Sequence, residues 1–145
     1  MIDRIESGAT LIAVIIYADF CKDGIEFFTP DAFSQQLAYM NRPAGYAIAP
    51  HVHNSVPRKV HFTQEVLFIK SGKLRIDFYD DDQNYLESRV LCQGDVVLLA
   101  CGGHGFEMLE ASEIIEVKQG PYTGEKDKTR FSAVPSHQVR LVEKS

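Results

Sequence analysis

Apolar positions dominate Ala9 to Phe20, ATLIAVIIYADF, in a nearly continuous run rich in β-branched and aromatic types. Such a run predicts a strand covered on both faces. A turn at Lys22-Asp23-Gly24 leads into GIEFF, a short second strand. Thr29-Pro30 then offers an N-cap and a first helical position, and Phe33, Leu37 and Met40 recur at helical spacing. One short helix is therefore expected over Asp31 to Met40, with those three side chains in core contacts, ended by Asn41-Arg42-Pro43.

From Gly45 onward the pattern becomes short strands separated by turn residues, as in an all-β sandwich or barrel. VLFIK ends at Ser71-Gly72, which reads as a tight hairpin into KLRIDFYD. There Leu74, Ile76 and Phe78 alternate with Lys73, Arg75 and Asp77, giving one apolar and one wet face. Asp80-Asp81-Asp82-Gln83-Asn84 is an acidic turn without the spaced ligands of a calcium loop. YLESRVL, VVLLA, HGFEMLE and EIIEVKQ follow as strands, with turns at Gln93-Gly94-Asp95 and Gly102-Gly103. Gly120 to Phe131 has the composition of a surface loop, and residues 137–142 add an edge strand or pack outside.

A chain of 145 residues corresponds to about one domain, and the expectation is a single domain over residues 1–145. Its net charge of −5, with both signs interspersed, offers no field for a phosphate backbone, so nucleic acid is not expected as a partner. Cys21, Cys92 and Cys101 fit neither a disulfide framework nor a paired-cysteine metal site, which suits a reducing cytoplasm. The run Leu11 to Tyr17 is too short to span a bilayer and lacks signal-peptide flanks, so no membrane association is expected.

Chemistry concentrates in Gly45 to Gly72. On an extended strand His51 and His53 point the same way, and His61 and Glu65, an even number of residues apart, share a face as well. Imidazole nitrogen with carboxylate oxygen suits Zn, Fe, Mn, Ni or Cu. A lone His is more often a surface or core residue than a ligand, but four of the five histidines fall near this Glu or near the Gly-rich turn before His104. Arg58 and Lys59 are candidates to hold an anionic substrate group, with exposed loop cations as the plainer role. Tyr46, Gln64 and Phe106 either line a cavity or pack. Cys101 has no base partner and reads as an inert thiol; His137 reads as surface.

The two segments 45–72 and 94–108 resemble the motifs of the cupin superfamily. The first motif is Gly, five residues, His-x-His, three or four residues, Glu, six residues, Gly. Gly45, His51, His53, Glu65 and Gly72 fit it, with eleven residues between His53 and Glu65. An alternative register puts His61 before Glu65 and Lys59 in the place of the first His. In the second motif Gly94 stands before Ala100, which replaces a Pro, followed by Gly102, by His104 one residue early, and by Met108 near an Asn position.

The resemblance implies a mainly all-β fold, a single cupin β-barrel or jelly roll with N-terminal strands and one short helix. It implies a metal site of His51, His53, Glu65 and His104, with His61 as the alternative, holding a divalent transition metal (Fe, Mn, Zn or Ni). Open positions on that ion would serve a small polar ligand, a sugar or sugar derivative, in isomerase, epimerase or oxygenase chemistry. The alternatives are a non-catalytic ligand- or metal-binding module and a metal-free sugar isomerase. Homodimers are common among cupins, and Leu11 to Tyr17 is a candidate to pair across such an interface.

Overall fold

The computed structural model describes residues 1–145 and is mainly β, with ten strands and two 3₁₀ turns. The chain forms two compact units, residues 21–61 and the remainder.

In the larger unit, β1 (Ile2–Ser7) and β2 (Thr10–Ile16) form a hairpin, and β5 (Glu65–Ser71), β8 (Val96–Leu99) and β10 (Glu113–Lys118) complete a five-stranded sheet. Its order is β1-β2-β8-β5-β10. A second sheet has the order β7-β6-β9, from β6 (Lys73–Tyr79), β7 (Tyr85–Cys92) and β9 (Gly103–Met108). The strands alternate, so one face of each sheet is apolar, and the two faces share one core. Ile12, Ile15, Leu67, Ile69 and Val97 come from the first sheet, and Leu74, Ile76, Phe78 and Leu91 from the second.

β2 is buried along most of its length, as its continuous apolar run predicts. It is paired with β1 on one edge and β8 on the other. No free edge remains on it, so Leu11 to Tyr17 does not pair across a dimer interface.

The expected hairpin at Ser71-Gly72 is not one. β5 pairs with β8 and β10, β6 pairs with β7 and β9, and the two do not pair with each other. Gly72, at φ +84°, carries the chain from one sheet to the other. The face of β6 expected to be wet is closed at Asp77, which is 4% exposed. Arg75 donates to both its carboxylate oxygens, at 2.8 and 3.1 Å, and the Ser88 hydroxyl donates to it as well. The last residues run beside β7, where Ser88 N–H donates to Arg140 O and Val142 N–H to Ser88 O. Leu141 forms the bridge to Ser88, so the tail adds an edge segment there.

In the smaller unit β3 (Gly24–Phe27) pairs antiparallel with β4 (Ala38–Asn41). The helix expected over Asp31 to Met40 is absent: residues 31–35 turn, and Ala38–Asn41 is strand. The Gln36 amide donates to the carbonyls of Pro30 and Phe33, and the Thr29 hydroxyl donates to Gln36 Oε1 while accepting from Leu37 N–H. These side chains take the backbone partners that a helix would have used, and the segment closes as a loop between two strands. Beyond β4, residues 42–63 are exposed and carry no strand.

Candidate functional site

Glu65 opens β5, and its side chain faces inward with Leu67 and Ile69. Directly across the ladder on β10 stands Lys118. Its Nζ lies 3.0 Å from Glu65 Oε1. From the other sheet, β9 brings His104, opposite Phe78 on β6, until its Nε2 is 3.3 Å from Glu65 Oε2. One carboxylate, 8% exposed, thus bridges both sheets through an imidazole and an ammonium. Around this trio, Lys118 also reaches Asp127 at 3.5 Å, and the Thr63 hydroxyl donates to Asp127 at 2.6 Å. The Phe106 ring leans on His104 with 5.4 Å between centroids.

Contact with the His104 ring does most to hold the Glu65 carboxyl down, to about 2, against burial that pushes it up; the Lys118 ammonium adds to the effect. Lys118 is pushed up in turn, chiefly by its hydrogen bond to Glu65. Glu65 is therefore a fixed anion at neutral pH, able to orient a ring or bind a cation and poorly suited to deliver a proton.

The sequence-derived candidates fall into two groups. Glu65 and His104 meet in the larger unit. His51 and His53 belong to the smaller one, where their rings stack edge to face at 5.2 Å. Nδ1 of His51 lies 3.0 Å from the carbonyl of Ala49. A carbonyl only accepts, so Nδ1 carries the proton, and in the neutral ring Nε2 keeps the lone pair that binds metals. No three His, Cys, Asp or Glu side chains form a group able to hold a metal ion.

His61, Arg58 and Lys59 are exposed. Arg58 donates to the nearby Val56 carbonyl at 3.4 Å, and the Tyr46 ring lies under the Arg42 guanidinium at 4.6 Å. The Cys101 thiol is pushed up by burial and donates to Leu11 O, as befits an inert thiol. A cleft of about 640 Å³ opens elsewhere, between the β7–β8 turn and the C-terminal segment, and neither Glu65 nor His104 lines it.

Lys118, Asp127 and Thr63 were not recognisable as site residues from the sequence. Their place beside Glu65 depends on the β5–β10 register and on the fold of the 120–131 loop, which no local spacing encodes. The chain matches no family model, no curated protein and no solved structure.

Proposed function

We propose that the protein is a cupin-like metalloprotein that acts on a small polar molecule, a sugar or sugar derivative, at a centre built on Glu65 and His104. The meeting of these two side chains carries the reading. They come from different sheets and from the two separate motifs that prompted the resemblance, and they stand 3.3 Å apart. Donors each about 2.1 Å from one ion lie roughly 3.0 to 3.4 Å apart in octahedral or tetrahedral geometry, so the pair suits adjacent ligands. Lys118 occupies the other carboxylate oxygen, so Oε2 would be the one to take an ion beside His104. A divalent Fe, Mn, Zn or Ni bound there supplies Lewis-acid polarisation, or redox chemistry in the case of iron. His104 and Glu65 would hold it, Lys118 helps keep Glu65 ionised, and Phe106 packs against the His104 ring.

The Lys118 contact also favours a second reading. An ammonium at 3.0 Å already compensates the buried carboxylate, so the centre is electrically complete without a metal. In that case His104, oriented by Glu65, is the group that moves a proton in a metal-free isomerase, or the cluster simply holds a ligand in a binding module.

Elemental analysis of protein purified without a metal-affinity tag separates these readings. Near-stoichiometric metal in the wild type, lost in Glu65→Ala and in His104→Ala, is the expected result. Loss in a His51→Ala/His53→Ala double variant would add that pair to the ligand set. No metal after reconstitution would overturn the metalloprotein in favour of the metal-free reading.

A further inference from the structure

Residues 42–63 are exposed without interruption, and no backbone–backbone hydrogen bond engages any residue from 47 to 63. Their composition is not that of a solvated linker. Tyr46, Ile48, Val52, Val56, Val60 and Phe62 all occupy even positions, and His51, His53, Lys59 and His61 occupy odd ones. Asn54 and Arg58 interrupt the even series, but the remaining pattern is that of a half-buried strand, yet each of those six apolar side chains faces water. Pro50 and Pro57 bound a six-residue stretch, His51 to Val56, with every N–H available for pairing.

A complementary strand is available on the same chain. β10 ends the five-stranded sheet, so one of its edges is unpaired, and it too is six residues long. On its outer face Ile115 and Val117 are 52% and 58% exposed, beside Phe68 of β5 at 40%. Free edges with apolar flanks are templates for another strand. Charge separates the two surfaces in the same sense. No Asp or Glu lies between Asp31 and Glu65, a span that carries Arg42, Arg58 and Lys59, whereas Glu113 and Glu116 lie on β10 and Glu110 just before it, in a chain with net charge −5.

We propose that residues 46–62 are an exchange arm that adds, through His51–Val56, to the free edge of β10 in a second copy of this chain, giving a two-fold dimer. Main-chain pairing provides the contact, alternation sets which face packs, and the opposed charges select the register and the partner. With Val52 and Val56 continuing the apolar surface of Ile115 and Val117, His51 and His53 project on the side of the sheet that carries Glu65 and Lys118. That last point rests on the proposed function; the pairing itself does not.

Sedimentation velocity and hydrogen exchange test the dimer without reference to metal or turnover, so its failure is distinct from failure of the proposed centre. The wild type is expected at twice the 16.3 kDa chain mass, with weaker association in high salt. Val52→Asp/Val56→Asp in the arm and Ile115→Asp/Val117→Asp on β10 alter exposed side chains. Each is expected to keep the wild-type circular dichroism and to weaken association at least about tenfold. Amides of residues 51–56 are expected to exchange more than about tenfold more slowly in concentrated than in dilute protein. A monomer at all concentrations would overturn the proposal. A dimer insensitive to both variants, or broken by the arm variant alone, would do the same, as would concentration-independent exchange at 51–56.

Discussion

A carboxylate shut away from water and left alone protonates; Glu65 stays ionised because an imidazole and an ammonium each take one of its oxygens. The folded protein binds its proton only near pH 2, against an ordinary 4.5. Between these values the unfolded chain takes up the proton more readily, so the stability that Glu65 contributes is fully present above about pH 4.5 and is lost as pH falls toward 2. With His104 and Lys118 partly open to solvent, the contribution is about 2 kcal/mol. Glu65→Gln is expected to flatten the acid limb of a urea-denaturation stability profile between pH 5 and 2, and an unchanged limb would remove the charge from this account. Of this trio, Glu65 and His104 were legible from motif spacing. Lys118 was not, because its inward orientation on β10 follows from its pairing opposite Glu65, a contact across more than fifty positions of chain.

Hydrophobic pattern marked the strands well, alternation for β6 and a continuous apolar run for β2 and β8, since burial on one face imposes the first and burial on both the second. Connections were harder to read. Ser71-Gly72 has the composition of a hairpin turn, yet β5 and β6 each need two other neighbours, and the chain turns a corner between sheets. The Thr29-Pro30 helix signal failed because Thr29 and Gln36 bond into the loop and leave Ala38–Asn41 to pair with β3. Gly72 is the position where the corner is least tolerant. At φ +84° an added Cβ would press on the Ala111 carbonyl and on Ser112, both of them backbone-anchored neighbours. Gly72→Ala is expected to cost about 2–4 kcal/mol in chemical denaturation, combining left-handed strain with a clash. A loss under about 1 kcal/mol would show that the corner relaxes freely.

Distant parts of the larger unit converge on Arg89 of β7. Its guanidinium donates to Asp3 of β1 at 2.7 Å, to Glu87 at 2.7 Å and to the carbonyl of Glu143 in the C-terminal segment at 2.7 Å. The Tyr17 hydroxyl donates to the same Asp3 carboxylate, and burial, followed by that bond, pushes the phenol up. Replacing one partner strands the other: Arg89→Ala is expected to destabilise by about 3 kcal/mol, mostly through the unpaired Asp3. Arg89→Met combined with Asp3→Asn is expected to recover a large part of that loss in urea unfolding. Equal losses in the single and double variants would mean that packing, and not charge, holds this point.

The strand order of the five-stranded sheet also sets a schedule for synthesis. β2 finds β1 at once, but its other neighbour, β8, leaves the ribosome about eighty residues later, and β10 later still. At roughly 5–20 residues per second that interval is on the order of 4–16 s. Throughout it an almost wholly apolar strand presents an open edge, and for most of it β6 and β7 of the second sheet are not yet made to cover its face. Protection during translation, by chaperones or by slow local collapse, is therefore a requirement that this topology places on the cell that makes the protein.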